Sequence, residues 1–161
     1  LGGAEMTQII GAGRQAPTLG VMQVIDVTAA TYALTEDEQG SLVLFNLATG
    51  IDITLPTITA DNVGMWFRFQ VDTPVSGDTY TITAAATQLL SGRIVAWDTD
   101  TSYGTTSYAA DESNGVIITL NASTTGGGVG DDEILLIAES VTRWRVSGQV
   151  FHTGNTATMF S

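Results

Sequence analysis

Few side chains in this sequence could carry acid–base or nucleophilic chemistry. His152 is the lone histidine, so a serine triad would have to use it as the base, with Ser147 or Ser161 as the nucleophile. The chain has no cysteine and no G-x-S-x-G turn of the kind that presents a nucleophilic serine. The neighbours of His152 form a polar C-terminal tail. We therefore expect His152 to be solvated or to lie in an interface, and we expect a protein that is not an enzyme.

Carboxylates could bind calcium or act in pairs, and they cluster at three places. The clusters are Asp98 with Asp100, Asp111 with Glu112, and Asp131 with Asp132 and Glu133. Asp98, Asp100 and Ser102 alternate as at the start of a calcium loop, but Tyr103 stands where an EF-hand requires glycine. An EF-hand is therefore excluded, whereas a looser calcium site in this loop stays open. No spacing identifies the acid and the nucleophile that glycoside hydrolysis requires.

The N-terminal segment is rich in glycine. Residues 11–16 fit the pattern G-x-G-x-x-A, which in dinucleotide-binding folds opens a helix that receives a pyrophosphate. Pro17 and Gly20 follow at once, so no such helix can form and we predict no cofactor. Residues 1–20 carry only short apolar pairs such as Ile9-Ile10. We predict an extended N-terminal arm that is ordered only when it lies against another surface.

The charge balance limits the possible partners. The chain of 161 residues has 17 acidic residues, five arginines and no lysine, which gives a net charge of −12. Such a charge repels phosphate, so nucleic acid and anionic membrane surfaces are excluded as partners. No apolar run approaches the ~18 residues of a membrane-spanning helix.

From residue 21 onward, short runs of β-branched and aromatic residues are separated by turn residues about every eight to twelve positions. This spacing predicts that residues 21–161 form a single all-β domain, an antiparallel β-sandwich of jelly-roll-like type. Strands are predicted at residues 21–28, 41–47, 51–55, 65–72, 79–84, 93–98, 116–121, 133–139 and 142–150. Residues 98–114 are predicted to be a long polar loop.

The alternation within these strands indicates which side is buried. Met65, Phe67 and Phe69 share one side, and Trp66 and Arg68 share the other. By contrast, residues 116–118 and 134–137 are apolar on both sides, as is typical of strands that are covered on both faces. A second layer of the chain or a neighbouring subunit is expected to cover the second face.

Trp144 lies between Arg143 and Arg145, so on a strand the indole points one way and both guanidinium groups point the other. We predict that Trp144 packs in the core. The two arginines are expected to pair with acids of an adjacent strand or of a neighbouring subunit.

Two stretches resemble virion proteins of tailed phages. Residues 50–56 (GIDITLP), 62–69 (NVGMWFRF) and 80–85 (YTITAA) are similar to the pattern G-x-x-I-T-L-P, N-x-G-x-x-F-x-F, Y-T-I-T-A of small capsid decoration proteins and tail-fibre modules. Residues 132–137 (DEILLI) and 142–148 (TRWRVSG) resemble the closing strand pair of the same modules.

The resemblance implies a capsid decoration, or cement, protein on the virion exterior, often a trimer, that stabilises contacts between major capsid subunits. Its expected partners are the major capsid protein and further copies of this chain. The expected interface residues are Met6, Ile9, Ile10 and Arg14 in the arm, together with Arg143 and Arg145. The alternative is a tail-fibre or receptor-binding module that recognises host surface glycans through loop tyrosines such as Tyr103 and Tyr108.

Overall fold

The computed structural model describes residues 22–100, 104–110, 112–155 and 157–161. Eleven strands and one short 3₁₀ turn, Glu36–Glu38, make up its regular structure. The strands are β1 Val24–Val27, β2 Thr31–Ala33, β3 Ser41–Phe45, β4 Ile51–Thr54, β5 Trp66–Val71, β6 Tyr80–Thr83, β7 Leu89–Asp98, β8 Thr105–Ala109, β9 Ile117–Leu120, β10 Glu133–Ser140 and β11 Arg143–His152. The prediction of an all-β chain is confirmed, since these ranges contain no α-helix.

The strands form two sheets that pack face to face as a sandwich. One sheet has seven strands in the order β1-β3-β5-β10-β11-β7-β8, and the other has four in the order β2-β4-β6-β9. Five of the nine pairings are parallel and four are antiparallel, so the sheets are mixed where the sequence predicted antiparallel ones. The reason is topological. From β1 to β6 the chain alternates between the two sheets. Within one sheet, successive strands of this part of the chain therefore run in the same direction and pair in parallel.

The core lies between the two sheets and joins them through aromatic contacts. The rings of Phe45 on β3 and Tyr80 on β6 stack with their centroids 4.6 Å apart, which links the seven-stranded to the four-stranded sheet. Phe67 on β5 lies 6.3 Å from Trp144 on β11. Trp144 is fully buried, as its position between two arginines predicted. Phe67 and Phe69 on β5 are also buried, which confirms the side of this strand that was predicted to face the core.

Two strands lie where none was predicted. β8 falls within the predicted polar loop and pairs with β7. Its threonines and serine face solvent, whereas Tyr108 points inward and is buried. β2 is only three residues long and pairs with β4 at an edge. In addition, the segment 159–161 extends the four-stranded sheet beside β9, where Ile118 and Phe160 form an antiparallel bridge. The predicted arm, residues 1–20, lies outside the described residues.

Candidate functional site

The seven-stranded sheet turns one side toward the core and the other away from it, and we call the second side the outer face. One row of this face crosses all seven strands in register as Val24, Leu42, Arg68, Leu135, Ser147, Arg93 and Ala109. The next row runs Asp26, Leu44, Gln70, Glu133, Gln149, Val95 and Ser107. Side chains that face each other across strands lie within contact distance, so the outer face is one continuous surface.

Large apolar side chains are exposed on the outer face. Trp97 on β7 is 43% exposed and Trp66 on β5 is 37% exposed, although most tryptophans are largely buried. Val24, Val95 and Ile137 are exposed on the same face. The other exposed large apolar side chains of the described residues, Met22, Val63, Val129 and Val141, lie outside the strands. The strands therefore concentrate their exposed apolar area on one side of the sandwich.

The four-stranded sheet has a different outward side. Its outward residues are mainly threonine and aspartate, with Asp52 and Thr54 on β4 and Thr81 and Thr83 on β6. Thr81 donates a hydrogen bond from Oγ1 to Oδ1 of Asp52 at 2.7 Å. This side is suited to water, whereas the outer face of the larger sheet is suited to a protein partner.

All four arginines of the described residues lie on the seven-stranded sheet. Three of them have acidic neighbours: Arg68 Nη2 lies 2.5 Å from Glu133 Oε2, Arg143 Nη1 3.7 Å from Glu112 Oε2, and Arg145 Nη1 4.0 Å from Glu139 Oε1. Arg93 is exposed and forms no ion pair with a described residue. Glu133 raises the pKa of Arg68 through their hydrogen bond and charge attraction. A chain of strongly negative net charge thus places its described cations on one sheet.

Two open cavities lie side by side on the outer face, above β7 and β11. The larger has a volume of about 490 Å³ and is lined by Arg93, Arg145, Ser147, Glu112 and neighbouring backbone. The smaller, of about 320 Å³, is lined by Val95, Trp97, Glu133, Gly148 and Gln149. The outer face is therefore grooved where its aromatic and cationic side chains meet.

The predicted interface residues fall in two groups. Arg143 and Arg145 lie on the outer side of β11. The expected pairing with an acid of an adjacent strand is present for Arg145, with Glu139 on β10, whereas Arg143 pairs with Glu112 in the loop before β9. Met6, Ile9, Ile10 and Arg14 lie outside the described residues, and so does Tyr103.

His152 is buried within this chain and is therefore neither solvated nor exposed for an interface, contrary to our expectation. It is 3% exposed at the end of β11, and its Nδ1 lies 2.9 Å from the carbonyl oxygen of Gly154. Local sequence predicted a polar tail, but the turn after β11 folds against the loop 121–130, since Thr153 and Gly154 donate to the carbonyl of Ser123. No serine is hydrogen-bonded to the His152 ring among the described residues, so the triad considered above is not assembled there.

Asp132 is a buried carboxylate with a structural role. Its Oδ1 accepts the backbone N–H of Phe151 at 2.6 Å, and its Oδ2 accepts the backbone N–H of Gly127. Burial raises the pKa of Asp132 to about 6, against the opposing effect of these two hydrogen bonds. Its neighbours in sequence point elsewhere: Glu133 reaches Arg68, and Asp131 is exposed. The described residues contain no group of three or more acidic or histidine side chains that could hold a metal ion.

Tyr108 on β8 and Asn121 after β9 also have structural roles. Tyr108 is buried and donates its hydroxyl hydrogen bond to the carbonyl of Thr124, so it presents no ring to a glycan. Asn121 begins a glycosylation-type triplet, but its Oδ1 accepts N–H groups from Ser123, Thr124 and Thr125. Both side chains hold the loop 121–130 in place.

Arg93, Trp66 and Trp97 were not among the predicted interface residues. The available signal was the strand alternation, which places Trp66 on the side of Arg68 and Trp97 on the side of Arg93. A tryptophan on the polar side of a strand indicates an aromatic surface outside the core. What the sequence does not reveal is that β5, β10, β11 and β7 are neighbours, which gathers these residues on one face.

Comparison of the chain with protein-family models, with curated proteins and with solved structures gave no match. The helix in the described part of the chain is three residues long, too short to cross a membrane. We therefore infer function from the geometry of the outer face.

Proposed function

We propose that this chain is a non-enzymatic structural protein of a virion, a decoration protein that binds the outer surface of a phage head and stabilises contacts between major capsid subunits. The partners would be the major capsid protein and further copies of the chain. The location would be the exterior of the capsid, since the acidic charge disfavours contact with packaged DNA. The resemblance in residues 50–56, 62–69 and 80–85 supports this assignment.

The observation that carries the proposal is the difference between the two sides of the sandwich. The outer face presents Trp66, Trp97 and the arginines, and the opposite side presents threonines and Asp52. Tryptophan and arginine are the residues that dominate binding energy at protein interfaces, where truncating one costs ~2 kcal/mol or more, about thirtyfold in Kd. A decoration protein needs such a division, because one side binds the shell and the other faces water.

The arm of residues 1–20 extends the proposed contact. The described chain begins at Met22, directly before β1, which is an edge strand of the seven-stranded sheet. An extended segment of 20 residues can reach up to about 70 Å, so the arm could contact a subunit beyond the one beneath the outer face. Met6, Ile9, Ile10 and Arg14 would supply the apolar and charged contacts.

The test is binding of the purified protein to purified phage heads that lack decoration, measured by co-sedimentation. Three variants are compared with the wild type: Trp97→Ala on the outer face, Thr54→Ala on the opposite side as the matched control, and deletion of residues 1–20. We expect Trp97→Ala to weaken binding about thirtyfold, Thr54→Ala to leave it unchanged, and the deletion to weaken it. Equal binding by Trp97→Ala and Thr54→Ala would reject the outer face, and unchanged binding after the deletion would reject the arm.

The second candidate function is a receptor-binding module for host glycans. The smaller cavity favours it, since an exposed indole of Trp97 beside the amide of Gln149 and the carboxylate of Glu133 is a combination that binds sugars. This site replaces the one expected at Tyr108. Saturable binding on a glycan array that is lost in Gln149→Ala, with no binding to heads, would favour this function.

A further inference from the structure

We infer that the larger cavity on the outer face is an anchoring site for a carboxylate, and that Arg93 and Arg145 bind an acidic side chain of the partner protein there. The inference rests on the proposed function, because it specifies which chemical group of the docking partner the outer face recognises. The proposed site consists of the two guanidinium groups, the hydroxyl of Ser147 and the cavity that these three side chains line.

The strand register brings the three side chains together. Ser147 on β11 pairs directly with Arg93 on β7, and Arg145 precedes Ser147 by two positions on the same side of β11. Arg93 and Arg145 are therefore diagonal neighbours on adjacent strands, a separation that long side chains span. A carboxylate above Ser147 lies within reach of both guanidinium groups.

The two arginines are available to a ligand. Arg93 forms no ion pair with a described residue. Arg145 lies 4.0 Å from Glu139, with side chains 58% and 46% exposed, and an exposed pair at that distance contributes little. Glu112 also lines the cavity, but its Oε1 accepts a hydrogen bond from Ser91 at 3.1 Å and its Oε2 lies 3.7 Å from Arg143. The hydrogen bond from Ser91 orients Glu112, and no carboxylate of the described residues forms an ion pair with Arg93.

The charge of the whole chain determines which anion fits. A polyanion such as nucleic acid would extend beyond the arginine pair onto a surface of strongly negative net charge. A single carboxylate within a protein surface interacts mainly with charges inside the Debye length, about 8 Å at physiological salt. Planar guanidinium groups also match the two oxygens of a carboxylate. The nearby Trp97 and Val95 would contact apolar side chains beside that carboxylate.

The first experiment uses the full chain without heads. Tetraglutamate is titrated into the protein and the Arg Nε–H resonances are followed by NMR, with tetraglutamine as the uncharged control. We expect a Kd of order millimolar and shifts confined to Arg93, Arg145 and the backbone around Ser147. Arg93→Gln and Arg145→Gln should each weaken binding about tenfold, whereas Thr54→Ala on the opposite side of the sandwich should leave binding unchanged. Thermal melting of each variant confirms that it is folded.

Three outcomes would overturn the inference: shifts located elsewhere, equal shifts with tetraglutamine, or inorganic phosphate binding as tightly as tetraglutamate. The second experiment repeats the head-binding assay with Arg93→Gln, for which we expect about tenfold weaker binding. If heads bind Arg93→Gln normally and tetraglutamate gives no shifts, the carboxylate site is rejected and decoration stands. If the protein does not bind heads while tetraglutamate shifts Arg93 and Arg145, decoration is rejected and the site stands.

Discussion

Oδ1 of Asp132 accepts the backbone N–H of Phe151 at 2.6 Å, which ties the residue before β10 to the end of β11. The same carboxylate accepts the N–H of Gly127 through Oδ2, so one buried side chain connects the glycine-rich loop, β10 and β11. Desolvation of this group has a consequence for stability, because burial raises its pKa from 3.8 to about 6.

Stability should therefore depend on the protonation of Asp132. The pKa of Asp132 is higher in the folded state than in the unfolded state, so protonation of Asp132 stabilises the fold. This stabilisation is fully present below pH 3.8 and is lost as the pH rises through about 6. At 1.36 kcal/mol per pKa unit the loss is about 3 kcal/mol, of which about 2 kcal/mol falls above pH 4.5. Urea unfolding between pH 4.5 and 7.5 should show the free energy of unfolding of the wild type falling by that amount relative to Asp132→Asn. A difference that does not change with pH would contradict the assignment.

Replacing Trp144 and replacing Trp97 should have different effects on the free energy of unfolding. Trp144 is fully buried against Phe67, so Trp144→Ala should reduce the free energy of unfolding by about 3–5 kcal/mol. Trp97 is 43% exposed, and Trp97→Ala should change the free energy of unfolding by less than about 1 kcal/mol. Urea titrations followed by circular dichroism measure both. A large loss in Trp97→Ala would mean that the outer face belongs to the fold and not to a docking surface.

Gly92 on β7 should tolerate no side chain. Its φ is +129°, and a Cβ there would lie 2.0 Å from the carbonyl oxygen of Val146 on the paired strand β11. Gly77 is the matched control, with a φ of +94° and no atom within 4 Å of the added Cβ. Gly77→Ala should cost only backbone strain, about 1–2 kcal/mol, and Gly92→Ala at least about 1–3 kcal/mol more. Equal thermal stability of the two variants would contradict the close approach of β7 and β11.

Tyr80 should resist ionisation while the protein is folded. Its hydroxyl donates to the carbonyls of Leu47 and Thr73, and burial raises its pKa above the usual 10. The stability that this shift contributes is present below pH 10 and is lost as the pH rises through the folded pKa. Tyr80→Phe should remove that alkaline loss and should cost about 1 kcal/mol at neutral pH. Absorbance at phenolate wavelengths, recorded with the unfolding transition, checks both effects.

The local sequence determined the class of the fold and the buried side of those predicted strands in which apolar and polar residues alternate. Phe67, Phe69 and Trp144 point inward because successive side chains on a strand alternate, and this follows from neighbouring residues alone. The local sequence did not reveal β8, because its threonines and serine are typical of a loop. β8 is a strand because it pairs with β7 and Tyr108 packs in the core.

Tertiary structure decided which strands are neighbours, and hence the candidate site. Arg68, Arg93 and Arg145 lie in distant parts of the sequence, and they share one face because β5, β10, β11 and β7 are adjacent in the sheet. The burial of Asp132 and His152 was likewise set by the loop 121–130 folding over the end of β11. The physical reason is that alternation is a property of one strand, whereas pairing and burial depend on contacts between segments that the chain brings together only when it folds.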